Sequence, residues 1–102
     1  MTTIELVSPH CLKVSGDLGF ADVVAIKEQG VNLLDKTESN VEISLAGVTR
    51  AGSAAVSLLL SWLRYATEKE IKLVFSHLPD DLYGVARVSG IDQILPIAAD
   101  KN

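Results

Sequence analysis

Residues 48–60 read VTRAGSAAVSLLL and join a predicted strand to a predicted helix. The residues before them, Val41–Leu45, are β-branched and alternating, which predicts a strand. From Ala54 onward the apolar residues recur at helical spacing. The short loop between the two elements delivers Ser53 to the start of the helix, where a serine can cap the helix, accept a phosphate or contact a partner. We therefore look for function at this junction.

Length and composition indicate one folded domain that spans residues 1–102. The chain has 102 residues, of which 48% are hydrophobic, and this is enough for a core without disulfides or metal. Its net charge is -4 with acidic and basic residues interspersed, which argues against a nucleic-acid-binding protein. Cys11 is the single cysteine, so no internal disulfide can form, which fits a reducing cytoplasm.

The sequence contains no pattern typical of export or of membrane insertion. Met1–Glu5 lacks the basic and then apolar residues of a signal peptide. The longest apolar run is far too short to span a bilayer. We expect a cytoplasmic protein, which would act at a membrane only through a partner.

Hydrophobic periodicity predicts alternating strands and helices. The predicted strands are Ile4–Val7, Cys11–Ser15, Val41–Leu45, Ile71–Phe75 and a last short one within Ile91–Ile97. The predicted helices are Ala21–Lys36, Ala54–Lys69 and a third that starts at Pro79 and continues through Val88. This order predicts an α/β fold, a mixed, mostly parallel sheet of about 4–5 strands with 3–4 helices packed on it.

Four residues within or after the predicted helices carry further expectations. Gly30 weakens the first helix by about 1 kcal/mol relative to alanine. Gly90 suits the left-handed conformation that often ends a helix. Leu58 and Trp62 widen the apolar arc of the second helix to roughly half of its circumference. These two side chains either extend an apolar docking surface or pack beneath the first or third helix.

Three segments together resemble a known family. They are Val14–Leu18 after the second strand, Ile43–Leu45 followed by Val48, Ser53 and Leu58–Leu60, and Val88–Asp92 near the end. In their order and spacing the chain resembles the STAS domain (sulfate transporter and anti-sigma-factor antagonist) over nearly its whole length. Within this family, Ser53–Tyr65 and Leu78–Gly90 look most like the MlaB type.

The resemblance to MlaB-type domains implies a non-enzymatic subunit with no cofactor. Such a subunit is cytoplasmic and lies at the inner membrane through its partner, the MlaF-like ATPase subunit of an ABC transporter. The transporter moves phospholipid and maintains outer-membrane lipid asymmetry. The subunit binds the ATPase and regulates or stabilises it.

The anti-sigma-factor antagonists of the same family imply an alternative function. In them the loop before the second helix usually reads Asp-Ser-Ser-Gly or Asp-Ser-Gly, and a partner kinase phosphorylates the serine after the aspartate. Ser53 matches that position and is a candidate phosphorylation site. Gly52 stands where the aspartate is expected, which argues against regulation by a kinase. A third alternative, a module that binds a small molecule or a lipid, would need an apolar pocket that the sequence does not reveal.

The residues expected to contact a partner surround the strand–helix junction. They are Thr49, Arg50, Gly52, Ser53, Ala54 and Ser57. Ser53 is also expected to cap the helix, a role worth about 1 kcal/mol. Arg50 either contacts an acidic patch on the ATPase subunit or is simply solvated.

The remaining reactive residues do not form a recognisable site. His10 and Cys11 are neighbours on a strand and therefore point to opposite faces. His77 has no second histidine or cysteine nearby in sequence. Asp80 and Asp81 fit the acidic first turn of a helix, where adjacent residues face different directions. We expect no catalytic residues, no metal site and no nucleotide-binding loop.

Overall fold

Four strands form a single sheet in the computed structural model, which describes residues 2–97 of the chain. The strands are β1 Thr3–Ser8, β2 Cys11–Leu18, β3 Asn40–Ala51 and β4 Lys72–Ser76, and they lie in the order β1-β2-β3-β4. β1 pairs with β2 antiparallel, whereas β2 with β3 and β3 with β4 are parallel. The predicted α/β fold with a mixed, mostly parallel sheet is confirmed.

Three α-helices complete the fold in the part of the chain that the structure describes: α1 Phe20–Leu34, α2 Ser53–Glu68 and α3 Asp80–Val88. They pack on the sheet face that carries the alternating apolar residues, and Leu12, Ile43 and Phe75 form one buried row across three strands. The opposite face carries exposed polar side chains such as Lys13 and Lys72. None of the helices described is long and apolar enough to cross a membrane.

Helix α2 contacts α1 through one close approach and one hydrogen bond, and a second hydrogen bond joins it to Asp35, the C-cap residue of α1. Gly30 of α1 lies against the fully buried indole of Trp62, and a Cβ atom at Gly30 would come within 2.5 Å of three ring atoms. The indole N–H of Trp62 donates to the carbonyl oxygen of Lys27 at 3.2 Å. The hydroxyl of Tyr65 donates to the carboxylate of Asp35, a bond that raises the pKa of Tyr65. The glycine that weakens α1 locally is what lets α2 pack so closely.

Strands β2 and β3 extend well beyond the ends predicted for them. The pairs Gly16↔Val48 and Leu18↔Ala51 continue the parallel ladder through residues that had been expected to form loops. Two register shifts accommodate this extension, and Gly16 adopts a φ of 100°, a conformation that glycine tolerates without strain. Because the strand continues to Ala51, only Gly52 separates β3 from α2.

The strand predicted within Ile91–Ile97 is wrong. A short 3₁₀ helix, Ile91–Gln93, follows Gly90, which adopts the left-handed conformation expected of it at φ 76°. Within residues 91–97, only Ile97 pairs with the sheet, through a single parallel bridge to Phe75. Pro96 accepts a hydrogen bond from the Phe75 N–H at 2.8 Å but has no N–H to donate to β4, so residues 91–96 form no regular ladder.

We expect Gly30→Ala to lower the free energy of unfolding by about 1–2 kcal/mol. Overpacking against Trp62 destabilises the fold by about 1–3 kcal/mol, whereas the higher helix propensity of alanine stabilises it by about 1 kcal/mol. Gly84→Ala in α3 is the matched control, since its Cβ would meet no atom within 4 Å. This control should be neutral or more stable in the same urea unfolding experiment, and equal effects of the two substitutions would contradict the close approach.

Candidate docking site

The strand–helix junction lies at the carboxyl-terminal ends of the parallel strands β2 and β3. Thr49 and Arg50 are two of the last three residues of β3, and both are exposed. The other four expected contact residues lie at Gly52 and in the first two turns of α2. Ser53 and Ser57 are exposed, whereas Gly52 and Ala54 are half-buried. The structure therefore brings together all six residues singled out from the sequence.

Ser53 is not the N-cap of α2, and this expectation was wrong by one residue. The N-cap is Gly52, whose carbonyl oxygen accepts hydrogen bonds from the N–H groups of Ala55 at 3.0 Å and Val56 at 3.4 Å. In the part of the chain that the structure describes, no side chain caps this terminus. Since β3 continues to Ala51, Ser53 is already the first helical residue, and its exposed side chain is free of a capping role.

Arg50 forms an ion pair with Asp17, which lies on the adjacent strand β2. The guanidinium Nη2 is 3.2 Å from the Asp17 Oδ2, and the arginine and aspartate side chains are 77% and 38% exposed. An ion pair this exposed contributes little to stability because solvent screens it. The arginine is therefore neither buried nor simply solvated, and its guanidinium remains accessible to a partner.

Three residues of β2 and the turn after it belong to this region but were not assigned to it from the sequence. Asp17, Leu18 and Gly19 line an open depression of about 460 Å³ together with residues 50–54. A signal for them existed, since neighbouring parallel strands end at the same edge of a sheet and Val14–Leu18 was one of the segments that resembled the family.

Asp81 also reaches the junction, from the first turn of α3. Its carboxylate Oδ2 accepts a hydrogen bond from the backbone N–H of Ala51 at 3.3 Å. Asp80 and Asp81 both lie in that first turn, as predicted, but the helix begins at Asp80 with Pro79 as its N-cap. No sequence pattern indicates that Asp81 contacts β3, because Asp81 and Ala51 lie thirty positions apart.

The buried face of α2 excludes Leu58 and Trp62 from any docking surface. Trp62 packs against α1, which agrees with the packing alternative, and Leu58 is also buried. The side of α2 that remains accessible carries Ser53, Ser57 and Arg64 at helical spacing. It continues the exposed surface of the junction along the helix.

His10 and Cys11 lie at the start of β2, at the opposite end of that strand from the junction. Nδ1 of His10 is 2.8 Å from the Asn40 carbonyl oxygen. Burial, and secondarily the charge of Glu42, raises the pKa of the Cys11 thiol. Within residues 2–97, no group of three His, Cys, Asp or Glu side chains could hold a metal ion.

Comparison with known proteins assigns this architecture to a family. The family described as "Mlab, STAS domain" matches residues 5–96. Among curated proteins, none matches the chain by sequence.

Solved structures share the fold at low sequence identity. A chain of the Acinetobacter MlaFEDB complex in an ATP-bound conformation aligns at a TM-score of 0.81 with 21% identity, over 94% of this chain and 99% of the other. The anti-sigma factor antagonist SpoIIAA, in its unphosphorylated form, aligns at 0.73 with 14% identity, over 98% and 90%. An anti-sigma factor antagonist from Mycobacterium paratuberculosis aligns at 0.73 with 17% identity, over 97% and 85%.

We expect Ser53→Ala to change the free energy of unfolding by less than about 0.5 kcal/mol, because the serine side chain makes no capping bond. The loss of about 1 kcal/mol that follows removal of a true N-cap would contradict this geometry.

Gly52→Asp should instead stabilise the isolated chain by a few tenths of a kcal/mol. A Cβ at Gly52 would meet no atom within 4 Å, and the aspartate supplies the missing cap. Urea unfolding of both variants beside the parent chain measures the two effects, and a destabilised Gly52→Asp variant would show that the open space is not available.

Proposed function

This chain belongs to the STAS domain family, and we propose that it is a non-enzymatic subunit of a phospholipid-transporting ABC complex. In this proposal the whole chain forms a single domain that binds the ATPase subunit and regulates or stabilises it. The complex would maintain outer-membrane lipid asymmetry. The chain would lie in the cytoplasm, at the inner membrane through its partner.

The extent of the structural match to the MlaFEDB chain carries this proposal. The alignment covers 94% of this chain and 99% of that one, so neither has a sizeable segment without a counterpart. The matches to two antagonists cover 90% and 85% of their chains and have lower TM-scores. The MlaB-type description of the matching family supports the same choice.

The geometry of the junction suits contact with a folded partner. Gly52, Ser53 and Ala54 are small, which lets a partner backbone approach closely. The exposed guanidinium of Arg50 can pair with a carboxylate of the partner while it keeps contact with Asp17. Ser57 extends the contact along α2.

Regulation of the ATPase would follow from differential affinity. A rigid sheet and three packed helices hold the junction in place, and a partner that fits it in only one of its conformations is shifted towards that conformation. The chain itself would need no catalytic group for this effect. Its contribution would be the shape and charge of the docking surface.

A pull-down with the ATPase subunit encoded in the same genome tests the proposal. The tagged chain should capture the ATPase subunit, and Ser53→Leu should reduce capture by about tenfold or more because the larger side chain blocks close approach. Leucine adds no charge and is a good helix former, so the fold should be retained.

Thr67→Leu is the matched control for this experiment. Thr67 is exposed near the other end of α2, about 20 Å along the helix from Ser53. Capture should be unchanged in this variant. Equal capture by both variants would contradict docking through Ser53, and no capture by the parent chain would contradict the transporter assignment.

A second candidate function is that of an anti-sigma-factor antagonist. The exposure of Ser53 at the first position of α2 favours it, as does structural similarity to SpoIIAA in its phosphorylated form, with a TM-score of 0.68. A phosphate on Ser53 would lie beside the free N–H groups of the first turn. The partner would then be a serine kinase.

Intact-mass measurement of the chain purified from its own cells separates the two functions. The transporter proposal predicts unmodified protein. A phosphorylated fraction that disappears in Ser53→Ala, together with recovery of a kinase in the pull-down, would favour the antagonist instead.

A further inference from the structure

We infer that Asp81 is a positioning residue that holds the end of β3, and with it the connection through Gly52 to α2. The inference rests on the proposed function, because it concerns how the same junction is presented to a partner. Its physical basis is the hydrogen bond from the Ala51 N–H to the Asp81 carboxylate, which links α3 to the last residue of β3.

Within residues 2–97, the end of β3 has no strand neighbour on the side of β4. Pairing with β4 stops at Ser44↔Ser76, whereas β3 continues to Ala51. Helix α3 packs against β3, and Asp81 in its first turn reaches the final residue of the strand. A side-chain carboxylate thus supplies an acceptor in the region where β4 no longer accompanies β3.

Asp81 is anchored by a buried neighbour, whereas Gly52, the residue after its partner Ala51, adds no side-chain packing to the connection with α2. Asp81 Oδ1 accepts the N–H of Leu82 at 2.9 Å, and the Leu82 side chain is fully buried in the core. Gly52, which follows Ala51, has no side chain, and a Cβ there would meet no atom within 4 Å. The direction in which Ser53 is presented therefore depends on how firmly the backbone of Ala51 is held.

Amide hydrogen exchange in the isolated, isotope-labelled chain tests the positioning directly. Asp81→Ala should accelerate exchange at the Ala51 amide about tenfold, the effect of losing one hydrogen bond to a charged acceptor. Asp81→Asn keeps an acceptor oxygen and should restore most of the protection. Exchange at Leu59, in the buried centre of α2, should stay unchanged, which separates a local effect from global destabilisation.

Asp80→Ala is the matched control. Asp80 lies in the same turn of α3 and makes the same contribution to charge and to the interaction with the helix dipole. Unlike Asp81, within residues 2–97 its carboxylate accepts no hydrogen bond from β3. Its removal should change exchange at Ala51 by less than about twofold. Equal acceleration by both variants, or none in Asp81→Ala, overturns the inference.

Capture of the ATPase subunit by the same variants tests the consequence for docking. Asp81→Ala should weaken capture about fivefold, with Asp81→Asn and Asp80→Ala close to the parent chain. Faster exchange at Ala51 with undiminished capture overturns the role in docking. If the parent chain captures no ATPase subunit, the proposed function fails, while the exchange rates still decide whether Asp81 holds Ala51.

Discussion

The parallel pairing of β2 with β3, carried to the last residue of each strand, is the constraint on which the rest of the structure depends. The pair Leu18↔Ala51 brings both strand ends to one edge and leaves Gly52 as the only residue between β3 and α2. With so short a connection, the start of α2 has little freedom to move relative to the sheet. The position of the candidate docking site is therefore set by strand register.

The second constraint is the contact between α1 and α2. The indole of Trp62 occupies the space that a side chain at Gly30 would fill, and its N–H donates to the carbonyl oxygen of Lys27. This contact buries one side of α2, which restricts the accessible surface of that helix to the side of Ser53 and Ser57. Core packing thus decides which residues of α2 can meet a partner.

Charged side chains at the junction contact its backbone and lie on its surface. Asp17 pairs with Arg50 across two strands, and Asp81 accepts the N–H of Ala51 from a third element. All three charged residues lie on or beside the candidate docking surface. Their arrangement suits a surface that a protein recognises by shape and charge.

Local patterns were sufficient to predict most of the fold. Alternation in Val41–Leu45 and helical spacing after Ala54 predicted β3 and α2 correctly, because burial of one face imposes these periods on the sequence. The same reasoning located the junction, whereas its six candidate contact residues also rested on the resemblance to the family. It failed where the determinant was a neighbour distant in sequence, as in the extension of β3 to Ala51 beside β2.

The sequence by itself determined the order of elements, the apolar faces and the location of the exposed junction, since each depends on residues close together along the chain. Only the tertiary structure decided that Gly52 rather than Ser53 caps α2, that Trp62 is buried against Gly30, and that Asp17 and Asp81 reach the junction. Each of these outcomes follows from strand register or helix packing, which bring together residues about thirty positions apart.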